Sequence, residues 1–226
     1  MESGARIGLF GGSFNPVHTG HLRAAEEMRE HFSLDQVVFI PAHISPHKPA
    51  ATRDSARHRM IMLERAIRQN RHFTVWDVEF NRPGKSYSVE TLRYFRETFP
   101  GAAAPFFIMG IDAFMEIESW KNYRDLFALC NFIVMTRPGY ELPSATELIP
   151  RQLADEFAFH RGEQRYVHAS GCSVFIADIP GLAISSQDIR QRNAEGRSIT
   201  YLVPDAVEDY IREQHLYQHP EPVGGS

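Results

Sequence analysis

The sequence predicts an α/β protein: a doubly wound parallel sheet with a small helical C-terminal end. Two observations carry this. Short apolar strands alternate with helix-period segments along the chain, the pattern of a parallel sheet covered on both faces. The strands are also apolar without strict alternation, as expected where both sides are buried. The chain of 226 residues, 43% hydrophobic and 23% charged, is long enough to bury a core without staples.

Arg6 to Phe10 is an apolar run stopped by Gly11-Gly12, and reads as the first strand. After a loop over Ser13–Thr19, His21 to Phe32 carries Leu22, Ala25, Met28 and Phe32 near helical spacing. Gln36 to Ile40 is a β-branched second strand closed by Pro41. Ser55 to Gln69 reads as a helix with Met60, Leu63 and Ile67 on one stripe, and Thr74 to Phe80 as a third strand. Ser88 to Phe99 is helical through Val89, Leu92 and Phe95, and Pro100-Gly101 ends it. Phe106–Met109, Tyr123–Leu129 and Phe132–Thr136 form a further strand–helix–strand unit. A strand over Val174–Ile179 and helices over Gln187–Glu195 and Asp205–Gln214 finish the fold. Gly139 to Gly171 is less patterned and reads as an excursion or a loose helical pair. Residues 1–217 are expected to form one domain, and 218–226, with two prolines and two glycines, a disordered tail.

The balance of 24 basic to 28 acidic side chains gives a net charge of −4. That argues against a general nucleic-acid binder, which wants a basic domain. Cys130 and Cys172 are too few for a disulfide scaffold and lack metal-ligand spacing. There is no run of about 18 apolar residues for a membrane span, and no signal organisation at the start. The expectation is a cytoplasmic protein with no nucleic-acid or membrane partner.

In such sheets ligands bind beyond the carboxyl ends of the strands, where the strand order reverses. The first loop reads Gly11-Gly12-Ser13-Phe14-Asn15-Pro16-Val17-His18-Thr19-Gly20-His21. Glycines admit close backbone approach, and the N-terminus of the following helix is an anion site. His18 and His21, three apart at that start, can face one point. The loop is neither a P-loop nor the dehydrogenase dinucleotide fingerprint. Near the other end, Ile184-Ser185-Ser186-Gln187-Asp188-Ile189-Arg190 offers Ser186 as an N-cap and an arginine able to fork onto phosphate. Pro46-His47-Lys48-Pro49 follows the second strand and reads either as a solvated basic turn or as a pre-ordered phosphate loop. Arg57 and Arg59, placed at the start of the next helix, oppose its dipole. Ser86-Tyr87-Ser88-x-x-Thr91 is a capping signal first and a ligand site second.

The string from Gly11 to His21, with its H-x-G-H histidines, resembles the signature of the nucleotidyltransferase superfamily. More closely, the chain from about Ile7 to Tyr217 resembles its bacterial nicotinate-nucleotide adenylyltransferase family. The fold this implies is Rossmann-like. The resemblance implies that Gly11, Gly12, Ser13, Phe14, His18, Gly20 and His21 bind ATP, joined by Ile184, Ser185, Ser186 and Arg190 from the I-S-S-x-x-I-R motif. Asn15, His47, Lys48, Tyr87, Ser88, Thr91 and Trp120 would hold the mononucleotide. The Gly-x-Asp…Trp stretch belongs to the same nicotinate pocket, with Gly110 and Asp112 also counted among the ATP-binding residues. Trp120 could stack on a pyridine ring. Two positions depart from the family pattern: Lys121 stands where many members have a second aromatic, and Asn15 where aspartate is usual.

The activity implied joins ATP to nicotinate mononucleotide, giving deamido-NAD and pyrophosphate. A 5′-phosphate nucleophile is already ionised at pH 7, its second pKa being about 6, so no general base is needed. His18, His21, Lys48 and Arg190 would be the catalytic set, positioning the phosphates and offsetting charge on the leaving pyrophosphate. Mg²⁺ would arrive with the ATP phosphates, since no carboxylate cage for a metal is visible. Other readings are a nicotinamide mononucleotide or phosphopantetheine adenylyltransferase, or a non-catalytic adenine-nucleotide sensor. A homo-oligomer is compatible with the sequence.

Overall fold

The computed structural model describes residues 4–44, 53–136, 148–163, 165–178 and 182–218. Its strands are β1 (Ile7–Gly12), β2 (Gln36–Pro41), β3 (Phe73–Val75), β4 (Phe106–Gly110), β5 (Asn131–Thr136), β6 (Phe157–His160), β7 (Arg165–His168) and β8 (Ser173–Asp178). They form one sheet in the order β3-β2-β1-β4-β5-β8-β7-β6. The run β3 to β8 is parallel, while β7 and β6 add an antiparallel hairpin at one edge. Strand order reverses between β1 and β4, so the ends of those two strands diverge into a crevice.

Each parallel strand splits its side chains between two cores. Phe10, Val37, Phe39, Phe106 and Ile108 face one cluster, and Leu9, Val38, Ile40, Phe107 and Met109 face the other. That division is why the strands read as unbroken apolar runs. The first cluster is closed by α1 (Thr19–His31), α2 (Arg53–Ile67), α6 (Ser186–Ala194) and α7 (Asp205–Glu213). The second is closed by α3 (Ser88–Thr98), α4 (Ile111–Met115) and α5 (Tyr123–Leu129).

Several elements differ from the sequence reading. The third strand stops at Val75, because residues 77–80 turn back, the Phe80 N–H donating to the Asp77 carbonyl at 2.9 Å. Asn81 Nδ2 also donates to the Asp77 carboxylate, at 3.0 Å. The described residues of the weakly patterned stretch before Gly171 form a 3₁₀ helix (Arg151–Glu156) and the hairpin β6–β7, and residues 139–147 lie outside the described residues. Helix α2 begins at Arg53, so Arg59 lies in its second turn and no longer opposes the dipole at the helix start. Residues 219–226 and the end of the last predicted strand, Ile179, lie outside the described residues. Among the described residues no helix is long and apolar enough to cross a membrane.

Candidate active site at the ends of β1 and β4

His18 and His21 cap α1 reciprocally. His18, the N-cap residue, accepts the His21 N–H on its Nδ1, and His21 Nδ1 accepts the His18 N–H, each at 3.3 Å. The pair is a capping box built from two imidazoles. Their rings stack with centroids 3.6 Å apart. A ring whose Nδ1 accepts holds its hydrogen on Nε2, which is then the nitrogen left to donate. Burial lowers the His18 pKa to about 4, so this residue is a neutral donor near pH 7 and not a cation.

The H-x-G-H glycine has a steric reason. A Cβ on Gly20 would sit 3.0 Å from His18 Nδ1 and 3.2 Å from its Cε1, crowding the atom that accepts the cap bond and pressing the ring to give way. Phe14 does not offer its side chain to a ligand, as its ring is 1% exposed. It packs edge-on against Phe10, Phe39 and His21, the last with centroids 5.1 Å apart. Its backbone is left-handed (φ 47°), a conformation held by that buried ring. Phe14 therefore acts on His21 through ring packing.

The I-S-S motif meets this loop directly. Ser185, not Ser186, is the N-cap of α6, accepting the Asp188 N–H at 3.0 Å. Ser186 occupies the first helical position and donates to the Pro16 carbonyl at 2.9 Å. Arg190 Nη1 donates to the Asn15 carbonyl at 2.8 Å, and Asn15 Oδ1 accepts from the Tyr217 hydroxyl at 2.6 Å. Asn15 is thus tied to the C-terminal helical end by both backbone and side chain. Ile184 packs against the first core and lies beside Gly20.

On the other side of the loop, a cavity of about 260 Å³ opens between the ends of β1 and β4 and the start of α3. Gly11, Gly12, Ser13 and Gly110, expected at the ATP, line it together with Tyr87, Ser88, Thr91 and Trp120, expected at the mononucleotide; Ser86 of the same Ser-Tyr-Ser segment lines it too, and so do Glu79 and Lys121, which carried no ligand expectation. Phe107 stands edge-on to Trp120, centroids 6.3 Å apart. The hydroxyls of the Ser-Tyr-Ser segment do not cap α3, whose N-cap Tyr87 makes no side-chain cap bond. Ser86 Oγ instead accepts the His43 N–H at 2.9 Å, and Thr91 donates to Glu79 at 2.8 Å while also bonding Arg82. Burial pushes the Glu79 carboxyl up, while the Ser86 and Thr91 hydroxyls and the Arg82 and Arg59 guanidiniums pull it back. Asp112 is exposed in the first turn of α4 and does not line the cavity.

Arg59 braces the crevice floor. It is 3% exposed, and donates to the Ser13 carbonyl at 2.8 Å and the His43 carbonyl at 3.2 Å. It thereby ties the loop after β1 to the loop after β2. A sequence signal existed: Arg59 sits on the buried stripe Ala56, Arg59, Leu63, Ile67 of α2, where a charge needs a specific partner. His47 and Lys48 lie outside the described residues.

Residues 9–192 match the cytidylyltransferase-like family model. Over 212 residues the chain is 46% identical to a probable nicotinate-nucleotide adenylyltransferase of Geotalea uraniireducens, covering 94% of this chain and 98% of that one. A protein of the same name from Geobacter sulfurreducens is 46% identical over 215 residues, 95% and 99% covered. The chain belongs to the nicotinate-nucleotide adenylyltransferase family. The fold agrees with a Plasmodium falciparum nicotinic acid mononucleotide adenylyltransferase solved in complex with NaAD, at TM-score 0.72, 18% identity and coverage of 95% and 98%. A second structure of that enzyme is complexed with APC. Within this chain, α6 bonds the loop after β1 at the Pro16 and Asn15 carbonyls, and Gly11, Gly12 and Ser13 at the start of that loop line the cavity.

Proposed function

We propose that this chain joins ATP to nicotinate mononucleotide, releasing pyrophosphate and forming deamido-NAD. The observation that carries the reading is the stacked pair of His18 and His21 at the N-terminus of α1, with both Nδ1 atoms turned to the backbone. Beside them runs the Arg190 helix, and the loop they belong to borders an aromatic-walled cavity. Donors and a helix N-terminus suit phosphates, and Trp120 suits a flat heteroaromatic ring.

In the proposed step an ionised 5′-phosphate oxygen of the mononucleotide attacks the ATP α-phosphorus in line. One oxygen–phosphorus bond forms, and the bond from the α-phosphorus to the β-phosphate bridge breaks. Pyrophosphate leaves with the electron pair. His18 and His21 donate to the triphosphate as negative charge moves outward, and Arg190 and Ser186 fix it from α6. Because His18 is neutral, its contribution is directional hydrogen bonding into a desolvated site. Among the described residues no group of three or more His, Cys, Asp or Glu could hold a metal, so Mg²⁺ is proposed to come with the ATP phosphates and to neutralise them. Lys48 and His47 are proposed to meet the mononucleotide phosphate, on the family resemblance alone.

The test is pyrophosphate release with ATP, Mg²⁺ and a panel of acceptors. Release with nicotinate mononucleotide and none with phosphopantetheine is expected. Silence with both pyridine mononucleotides would overturn the reading.

A further inference from the structure

Among the described residues that line the cavity, Lys121 is the one cation and Glu79 the one carboxylate. Lys121 directly follows Trp120, after the 3₁₀ turn Ile117–Ser119. Its ammonium lies 4.4 Å from the centroid of the Tyr87 ring and 2.7 Å from Glu90 Oε1. We infer that Lys121 is the specificity-determining residue of the acceptor pocket, its ammonium reading the ring carboxylate that distinguishes an acid pyridine nucleotide from its neutral amide. This rests on the cavity being the acceptor pocket, as proposed above.

Three features support it. An ammonium held over Tyr87 and directly following Trp120 stands on the same cavity wall as both rings, within reach of a charged substituent on a ring stacked against that tryptophan. The Lys121–Glu90 pair is exposed, 44% and 39% on its two side chains. A pair of that kind contributes little to stability, so the ammonium can turn to a ligand carboxylate without stranding a buried charge. At the buried end, the Thr91 hydroxyl donates to Glu79 and the Arg82 and Arg59 guanidiniums act on the same carboxyl, so its charge is offset there. A neutral amide offers the ammonium only a carbonyl dipole, a weaker partner than a carboxylate.

The experiment compares kcat/KM for nicotinate and nicotinamide mononucleotides, with ATP and Mg²⁺, in the wild type, Lys121→Gln and Glu90→Gln. Lys121→Gln is expected to lower the acid-to-amide ratio roughly 10- to 100-fold, the scale of one lost charge-assisted hydrogen bond, with the loss appearing in KM for the acid. Glu90→Gln should keep the ratio at or above the wild-type value, because it frees the ammonium. An unchanged ratio in Lys121→Gln, or the same fall in Glu90→Gln, overturns the inference while the adenylyltransferase reading stands. A wild type inactive on both mononucleotides overturns both together.

Discussion

Replacing His18 by asparagine separates its electrostatic role from its capping role. Asparagine is a good N-cap, so its side-chain oxygen can still accept the His21 N–H, but it does not titrate. In the wild type the folded pKa of about 4 lies below the ordinary value of 6.5. The unfolded chain therefore takes the proton first, and the stability linked to this residue is fully present above pH 6.5 and lost as pH falls toward 4. Each unit within that window costs about 1.4 kcal/mol, tapering at its ends. Between pH 7 and pH 5 the wild type should lose about 2 kcal/mol more than His18→Asn. Urea unfolding followed by circular dichroism at both pH values reads the difference. Parallel losses in the two proteins would refute a buried neutral His18, and with it the assignment of its proton to Nε2 at neutral pH.

Three other substitutions probe the same crevice. His21→Ala should lower kcat by about 10²–10³, the cost of one lost donor to developing charge, while removal of half the capping box costs about 1 kcal/mol in thermal unfolding; a folded variant with full turnover would make His21 purely structural. Gly20→Ala should cut turnover about tenfold or more by displacing the His18 ring, with little change in melting temperature because alanine favours the helix. Retained turnover would show that the ring tolerates the added methyl. Arg59→Met strands the Ser13 and His43 carbonyls and should cost about 2 kcal/mol while raising KM for both substrates, as read by urea unfolding and steady-state kinetics.

The central part of the fold was legible because parallel strands are buried on both faces. β1, β2, β4, β5 and β8 each showed as a short apolar run. β3 was overextended because Asp77 turns the chain through side-chain and carbonyl bonds that no periodicity reports. The β6–β7 hairpin escaped because β6 is mostly exposed and β7 half-buried on both faces, and α4 because five residues are too few to show a helical period. At the site, the residue types and spacing of H-x-G-H pointed to the phosphate end, yet the reciprocal cap that fixes both tautomers is a three-dimensional fact. Arg59 was visible only as an odd charge, since its partners are carbonyls 46 and 16 positions away. Lys121 stood out as a departure from a pattern, and its place on the cavity wall beside Tyr87 came from the fold.

The most direct test of the central claim follows the phosphorus atoms. With ATP labelled separately at the α- and γ-positions and nicotinate mononucleotide as acceptor, the α-label should appear in the dinucleotide and the γ-label in pyrophosphate. Transfer of the γ-label to the acceptor, or release of orthophosphate without a dinucleotide, would contradict attack at the α-phosphorus.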